Sequence, residues 1–257
     1  MMQQTKGIVA LLAFIVFMSP CVSSAEDNQG QKRNTTLGLG VGVSMSEYRG
    51  YDPTILPLPF FSYTGGRFFI RGLTGGVYLY KDIHQTFSLD LSYLPQKFDA
   101  SESDDQAMRR LDDRDPSMLA GASYGLTMEF GMAKLSVSTD ILGRSNGIIA
   151  DASYSYPVQL NVLKITPAVG GTWTNSAYND YYYGISASES RKSGLREYDA
   201  DYAFSPYVGL NMLFNITDSV TFMIHSRVAY LSSEISDSPM VDQDYKYSFG
   251  AAVSYSF

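Results

Sequence analysis

The 257-residue sequence has few of the side chains that most often bind metals or carry out catalysis, with one cysteine and two histidines. Cys21 lies in an N-terminal segment predicted to be removed, so the mature chain is expected to have no disulfide and no cysteine-bound metal. His84 and His225 are far apart in the sequence, so a zinc site is not expected and no cofactor is predicted. The 19 basic residues are outnumbered by 26 acidic ones, which argues against nucleic acid as a partner because phosphates need basic patches.

The sequence also lacks, beyond its N-terminus, an apolar run approaching the roughly 20 residues of a transmembrane helix. The one long apolar stretch, Gly7 to Met18, follows the positive charge of Lys6 and precedes the small residues at 23–25. This order is typical of a secretory signal, and we predict cleavage near Ala25. The predicted organisation is therefore a signal peptide at 1–25, a short periplasmic lead at 26–34, and one domain over 35–257.

Alternation of apolar and small or polar residues is the feature that the chain has in abundance. In Tyr245 to Phe257, one alternate set is apolar or aromatic and the other is small or polar. Successive side chains of a strand point to opposite faces, so this pattern predicts a strand with one apolar face. Ser117 to Phe130 has the same pattern. A closing strand that ends on an aromatic residue is typical of outer-membrane barrels, as are alternating strands with modest overall hydropathy.

The predicted strands are mostly about 9 to 13 residues long, and short turns alternate with longer loops, as in outer-membrane barrels. Eleven segments can be recognised, whereas two periplasmic termini require an even number. Splitting 67–80 at its glycines gives 12 strands. Ten is the alternative if 56–64, expected to be irregular because of Pro57 and Pro59, is not a strand. The predicted fold class is all-β, a closed antiparallel transmembrane β-barrel, because an open edge in lipid leaves backbone groups unpaired.

The inward faces of the predicted strands carry ionisable residues of both signs. These fit either a network that fills a narrow lumen or the lining of a small pore, and we favour the filled lumen because buried charges need partners. Ser226 points to the face opposite its neighbour His225, so they cannot act as nucleophile and base, and no catalytic residue is predicted. The predicted lumen residues are Asp90, Glu129, Lys134, Asp140, Asp151, Lys164, His225 and Arg227.

The predicted loop 175–202 is the most unusual stretch, with four tyrosines among residues 178–183. Tyrosine offers contact area and a hydroxyl at low entropic cost, so the loop is either a binding surface or a segment packed over the barrel mouth. The other long loop, 94–116, contains many charges and is predicted to be solvated. The candidate contact residues of the tyrosine-rich loop are Tyr181, Tyr182, Tyr183, Arg191 and Tyr198.

Short motifs occur in a characteristic order along the mature chain, and with them the sequence resembles the MipA/OmpV family of outer-membrane proteins. The resemblance implies a barrel without catalytic activity, and it supplies no catalytic residues. The family's named member is an adaptor between a lytic transglycosylase and a peptidoglycan synthase, while other members resemble adhesins. The motifs are Tyr48-Arg49-Gly50, Leu56-Pro57-Leu58-Pro59, Gly66-Arg67-Phe68-Phe69, Arg71-Gly72-Leu73, Tyr182-Tyr183-Gly184, Glu189-Ser190, Ser193-Gly194-Leu195, Tyr198, Ser238-Pro239 and the aromatic final strand.

The resulting hypothesis is a non-enzymatic scaffold in the Gram-negative outer membrane that serves peptidoglycan synthesis and hydrolysis. Its expected partners are outer-membrane lipid, a lytic transglycosylase and a peptidoglycan synthase. A passive small-solute pore and a surface adhesin are the alternatives. The periplasmic turns and the lead at 26–34 would contact the partners, although a specific interface buries about 800 Å² per partner and these turns are short.

Overall fold

The computed structural model describes residues 35–257, so the predicted signal peptide and the lead at 26–34 lie outside the described residues. Strands dominate this part of the chain, and none of its helices is long and apolar enough to cross a membrane. The strands are β1 (Thr35–Ser44), β2 (Thr54–Thr64), β3 (Phe68–Arg71), β4 (Thr74–Lys81), β5 (Gln85–Leu94), β6 (Ser117–Met128), β7 (Gly131–Asp140), β8 (Ile148–Ser155), β9 (Val158–Leu160), β10 (Leu163–Thr174), β11 (Ala203–Asn215), β12 (Val220–Tyr230) and β13 (Tyr245–Ser256). The helices are α1 (Ser176–Tyr183), α2 (Ala187–Ser193), α3 (Ser233–Ser236) and two 3-10 turns, Ala100–Glu102 and Met108–Arg110.

The strands form one antiparallel sheet that closes on itself through the pairing of β13 with β1. β8 and β9 are two parts of one barrel strand, because β8 pairs with residues 168–174 of β10 and β9 pairs with residues 163–165. The result is a closed antiparallel barrel of 12 strands. The predicted fold and the strand number of 12 are therefore confirmed, and the alternative of ten is wrong.

β13 illustrates how alternation builds the wall. Tyr247, Phe249 and Val253 point outward and are 41%, 47% and 48% exposed, whereas Ala252 and Ser254 point inward and are 5% and 4% exposed. Adjacent strands repeat this arrangement in register. The apolar set therefore covers the outside of the barrel, and the small set faces the lumen.

Small residues on the inward face of β1 leave room for larger neighbours. A Cβ at Gly40 would lie 2.5 Å from the Cβ of Ala252, so a side chain there would collide with the adjacent strand. Phe60 and Met223, each 8% exposed, pack with Ala252 and with the partly buried Leu213 at this wall. This side of the lumen is therefore filled by side chains.

β2 contains two prolines but pairs with β1 without a break, so the predicted irregular start is wrong. The reason is that β3 pairs only with residues 62–64 of β2. Gly72 N–H donates to the carbonyl of Phe61, so odd-numbered residues of β2 direct their backbone groups toward the β3–β4 hairpin. Pro57 and Pro59 therefore lack N–H groups on the side where β2 has no strand to receive them.

The segment 67–80 divides into two strands, as the count of 12 requires. The turn is at Gly72, whose φ of 58° is favourable for glycine, and Gly75 and Gly76 lie within β4. The hairpin of β3 and β4 is short. Its neighbours β2 and β5 extend further toward the end of the barrel at which the turn at Gly72 lies.

The two ends of the barrel differ in the length of their connections. The inner end, where Thr35 and Phe257 lie, has turns at 65–67, 82–84, 129–130, 161–162 and 216–219. Except for the turn at 72–73, the connections at the outer end are longer and span 45–53, 95–116, 141–147, 175–202 and 231–244. We call these five longer segments together the outer cap.

Candidate functional site: the outer cap and the lumen

The segments of the outer cap share a buried apolar core. Met108, Tyr182 and Met240 come from three different segments and are each 0% exposed. The predicted solvated loop 94–116 is therefore wrong, because its apolar residues pack inward while most of its charges remain at the surface. The core consists of Tyr48, Leu94, Phe98, Ala100, Met108, Leu111, Leu119, Tyr178, Tyr182, Tyr183, Ile185, Ala203, Leu231, Ile235, Met240 and Val241.

The tyrosine-rich segment is folded into the two helices α1 and α2. The side chain of Asn175 caps α1, and Ser186 and Glu189 form a capping box at the start of α2. α2 ends at Ser193 and is capped by Gly194, which has a left-handed φ of 80°. This local order brings α1 over the barrel mouth, with Tyr178 and Tyr182 in the core.

The five predicted contact residues have different surroundings. Tyr182 and Tyr183 are 0% and 4% exposed, so they present almost no surface to a partner and instead hold the cap together. Tyr181 is partly buried and its hydroxyl accepts from Asp115 N–H at 2.8 Å, while the Tyr198 hydroxyl donates to a backbone carbonyl. Arg191 lies exposed on α2. A contact role for Tyr181, Arg191 and Tyr198 stays a prediction.

A buried ion pair joins the segments 95–116 and 175–202. Arg114 Nη2 lies 2.7 Å from Glu189 Oε1, and their side chains are 9% and 5% exposed. The guanidinium also donates to the carbonyls of Asp112 and Gly184, and Glu189 accepts from the N–H of Ser186. Buried charges are tolerated when their hydrogen-bonding capacity is met in this way. The pair therefore fixes the position of one segment against the other.

A second buried ionic group connects the cap to the barrel wall. Glu47 is 2% exposed, and its Oε1 accepts from Lys246 Nζ at 3.0 Å and from Gln96 Nε2 and the Tyr183 hydroxyl at 2.9 Å each. Lys246 belongs to β13, whereas the other three residues belong to three segments of the cap. A single carboxylate thus joins four parts of the chain.

The pKa values in the cap favour charged carboxylates and neutral phenols. Burial tends to raise the pKa of Glu47, but Lys246 and the hydrogen bonds outweigh it, and the pKa lies below its usual value. Burial also tends to raise the pKa of Glu189, but the contacts with Ser186 and Arg114 outweigh burial. The pKa of Glu189 is therefore lowered as well. Burial and the nearby Glu47 raise the pKa of Tyr48 and Tyr183 well above the usual value. Both tyrosines therefore stay neutral: Tyr183 donates to the Glu47 carboxylate, and Tyr48 donates to the carbonyl of Tyr182 and accepts from Gln96 Nε2.

Seven of the eight predicted lumen residues lie on the inward face of the wall, and two groups of them are hydrogen-bonded to other wall residues. Asp151 accepts from Thr172 Oγ1 at 2.8 Å and from the Tyr207 hydroxyl at 3.0 Å. The Arg227 guanidinium lies 3.4 Å from the centroid of the Tyr207 ring and donates to Thr172. Asp90 accepts from the hydroxyls of its neighbours Ser88 and Ser123. The lumen is therefore lined by side chains that bind one another.

Glu129 and Asp140 lie at the ends of their strands, and only Glu129 is outside the inward face. Glu129 is exposed in the turn 129–130, because β6 ends at Met128, two residues before the end of the predicted strand. Asp140 is the last residue of β7, and its carboxylate accepts from the N–H groups of Leu142, Ser145 and Asn146. Asp140 thus organises the segment 141–147 at the outer end.

His225 Nδ1 lies 2.7 Å from Asn211 Oδ1, and its Nε2 has no hydrogen-bond partner among the described residues. Ser226 pairs with the outward-facing Phe249 and so faces away from the lumen, as alternation predicts. His84 lies at the inner end of the barrel, in the turn 82–84, and is far from His225. Within residues 35–257, no group of three or more His, Cys, Asp or Glu side chains is placed to hold a metal ion.

Sequence reasoning missed the ionic groups of the cap. Ser186 and Glu189 do form the Ser-x-x-Glu pattern of a capping box, which could have indicated a helix start in this segment. The pair Glu47 and Lys246 has no such signal, because the two residues are separated by 199 positions in the chain. Only the closed barrel brings them together.

Comparison with known proteins places the chain among outer-membrane proteins. The family model of "MltA-interacting protein MipA" matches residues 37–257. The MltA-interacting protein of Escherichia coli K12 is 37% identical over 253 residues, which are 98% of this chain and 100% of that protein. The putative outer membrane protein YiaT of the same organism is 36% identical, with 98% of each chain covered. Outer membrane protein OmpV of Vibrio cholerae is 30% identical over 54% of this chain and 55% of its own.

Solved structures with a similar arrangement are also β-barrels of low sequence identity. A structure of the NanC porin has a TM-score of 0.45 and 12% identity, and the match covers 86% of this chain and 100% of the porin. A Pseudomonas aeruginosa FadL homologue has a TM-score of 0.43 and 10% identity, with 87% and 90% of the two chains covered.

Proposed function

Because the chain belongs to the MltA-interacting protein MipA family and is an outer-membrane protein, we propose that it is a non-catalytic scaffold for the enzymes of peptidoglycan hydrolysis and synthesis. The relative named MltA-interacting protein supports a lytic transglycosylase as one partner, since this chain is 37% identical to it along nearly the whole length of both. A peptidoglycan synthase is the second proposed partner. The barrel would hold both at the inner surface of the outer membrane.

The geometric observation that carries the proposal is the packed outer cap. A passive pore needs a continuous path, whereas the outer mouth here is covered by a layer with completely buried residues such as Met108 and Met240. Inward-facing polar groups of the lumen, among them Asp151 and Arg227, bind other wall residues. Both features favour a protein that binds partners over one that conducts solutes.

Outer-membrane lipid is the third proposed partner. Leu39 and Ile55 are 67% and 71% exposed on the outward face of the barrel, and many other apolar side chains on this face are similarly exposed. A water-exposed apolar band of this extent would be unfavourable, whereas contact with hydrocarbon satisfies it. The signal peptide at 1–25 and the lead at 26–34 complete the proposed domain organisation.

A surface adhesin is a second candidate function, favoured by the ordered outer cap itself. Tyr181, Arg191 and Tyr198 would be its contact residues, because they retain some exposed surface on the cap. Tyr182 and Tyr183 would support them from below without touching the partner.

The proposed scaffold is tested by crosslinking intact envelopes and isolating the protein as bait, with mass spectrometry as the readout. We expect a lytic transglycosylase, a peptidoglycan synthase or both to be enriched above an unrelated outer-membrane barrel. Equal recovery with bait and control would contradict the scaffold function. Conductance steps in planar bilayers would instead favour the pore, and we expect none from the wild-type protein.

A further inference from the structure

The inner turns offer too little surface for a scaffold to hold its partners. They contain two to four residues each, at 65–67, 82–84, 129–130, 161–162 and 216–219. A specific interface usually buries about 800 Å² on each partner, with roughly 20 to 30 residues a side. If a partner binds from the inner side, most of the contact area must come from elsewhere. The inner part of the lumen is the remaining described surface at this end.

The lumen is closed toward the outside. Inward-facing residues at the outer ends of four strands are buried beneath the cap, including Leu94 at 6%, Ser117 at 0% and Ala203 at 1% exposure. On the inner side the situation is reversed, since Lys81 and Lys134 are exposed and Lys164 is partly exposed. Access to this part of the lumen is therefore from the inner end.

The strand register places these lysines on the inward face. Lys81 lies opposite Thr86, Thr86 opposite Gly125, and Gly125 opposite Lys134, so both lysines belong to one row of side chains. Lys81 Nζ lies 4.7 Å from the centroid of the Tyr78 ring, which is 8% exposed inside the barrel. Lys164 is on the same face of β10 as the inward-facing Thr172. We call the wall around Lys81, Lys134 and Lys164 the basic vestibule.

The carboxylates near the basic vestibule either accept hydrogen bonds from wall residues or lie in turns outside it. Asp90 and Asp151 are further toward the outer end and accept hydrogen bonds from wall residues. Asp82 binds its own turn through the N–H groups of His84 and Gln85, and Glu129 and Asp218 are in turns as well. Among the described residues, the row from Lys81 through Thr86 and Gly125 to Lys134 carries no acidic side chain, and the inward-facing Asp151 lies two positions further toward the outer end, opposite Ser136.

We propose that the basic vestibule receives an acidic segment of a periplasmic partner protein. This inference rests on the proposed scaffold function and names the surface that such a scaffold uses. An inserted segment is contacted on several sides, so it buries more area than the tips of short turns can offer. A wall of one charge also concentrates an oppositely charged ligand and accelerates its entry. All three lysines interact within the chain as well, so incoming carboxylates extend or replace those contacts.

The direct test measures binding of a fluorescein-labelled hexaglutamate peptide to the full mature protein in detergent, by fluorescence anisotropy. We expect saturable binding that weakens as salt rises from 0.01 M to 0.15 M, because the Debye length falls from about 30 Å to about 8 Å. A labelled hexalysine peptide should not bind at the same concentrations. Equal binding of both peptides, or binding insensitive to salt, would overturn the proposal.

Variants locate the peptide on the protein. Lys134→Glu should weaken hexaglutamate binding roughly tenfold, equivalent to about 1.4 kcal/mol, and Lys134→Gln should have a smaller effect in the same direction. Arg191→Glu makes the same change of charge on the outer cap and should leave the affinity within about twofold. Heat-dependent mobility in SDS verifies that each variant is folded. If Lys134→Glu binds as the wild type does, or if Arg191→Glu weakens binding as much, the vestibule is not the site.

The envelope crosslinking experiment separates this inference from the proposed function. Wild-type bait that recovers a peptidoglycan enzyme, together with Lys134→Glu bait that loses it, supports both. Equal recovery with the two baits preserves the scaffold and overturns the vestibule as its contact surface. Wild-type bait without enrichment contradicts the scaffold, while the peptide measurement still decides whether the vestibule binds acidic chains.

Discussion

The outer and inner ends of this barrel solve the same task, the connection of antiparallel strands, in different ways. Outer segments contribute side chains to a common core, and Met240 there is 0% exposed. Inner turns extend little beyond the strands they join, and Ile83 at the tip of one is 78% exposed. The outer end is thus stabilised by contacts between segments, and the inner end by the backbone ladder of the sheet.

Charge follows the same division. The outer cap contains 18 of the 26 acidic residues of the chain but only nine of its 19 basic residues. The inward face at the inner end carries Lys81, Lys134 and Lys164. If the basic vestibule receives an acidic segment as proposed, this distribution of charge would favour its entry from the inner end over contact with the outer cap.

The largest expected effect comes from Arg114→Ala, which leaves Glu189 buried without its cation. Removal of one partner of a buried pair costs about 3–5 kcal/mol. Lys192→Ala is the matched control, because the Lys192–Asp112 pair joins the same two segments but is 53% and 61% exposed, and such pairs contribute about 0–1 kcal/mol. Hydrogen exchange of amides in 175–202 measures the free energy of local opening in the folded barrel. Similar small losses in both variants would mean that the buried pair does not anchor the cap.

Alternation was sufficient to predict the wall of the barrel but not the cap. In β13 each side chain is placed by its parity alone, so the sequence indicates its face. Contacts in the cap depend on residues far apart in the chain, such as Glu47 and Lys246, and no local period reports them. The many charges of 95–116 indicated a solvated loop, whereas Phe98 and Met108 in this segment are only 1% and 0% exposed.

Local rules failed where the register decides the outcome. Pro57 and Pro59 predict an irregular strand when read singly, yet in the sheet they face a side of β2 that has no strand partner. Glu129 has the parity of a lumen residue, but β6 ends at Met128 and Glu129 is exposed in the following turn. At the end of a strand, alternation no longer predicts the direction of a side chain, because the backbone leaves the sheet there.

A drop in pH should loosen the outer cap before it affects the barrel. The pKa values of Glu47, Glu189 and Asp105 lie below their usual values, since hydrogen-bond and cationic partners outweigh burial. Groups with lowered pKa stabilise the fold fully above their unfolded values, and this contribution is lost as pH falls through the folded pKa. Asp180, whose pKa is raised by burial and by Asp199, changes in the opposite sense and offsets part of the loss.

Hydrogen exchange of the cap, measured after short pulses at pH 7, 5, 4 and 3, checks this expectation. Protection should change little between pH 7 and 5 and decrease below about pH 4.5, where glutamate and aspartate side chains of an unfolded chain begin to bind protons. Glu47→Gln should start from lower protection and show a shallower decrease. Protection that stays constant to pH 3 in the wild type would show that the ionic groups contribute little to the cap.

Two glycines, one at each end of the barrel, allow the local packing of the two ends to be compared at single positions. Gly50 in the cap has a φ of 72°, and a Cβ there would lie 2.7 Å from Ser103 Oγ and 2.8 Å from the backbone nitrogen of Asp105. Gly50→Ala should therefore cost on the order of 1–3 kcal/mol in local stability. A Cβ at Gly66, in an inner turn, meets no atom within 4 Å, so Gly66→Ala should change stability by less than about 0.5 kcal/mol.

Both glycine variants should resist SDS before heating, because neither change touches the strand ladder. Exchange of the amides in 95–116 should increase only in Gly50→Ala, since that variant separates the first cap segment from the second. Equal effects of the two substitutions would mean that the inner turns are held by contacts as close as those of the cap. In that case the difference between the ends would lie in the length of their connections and not in how tightly they pack.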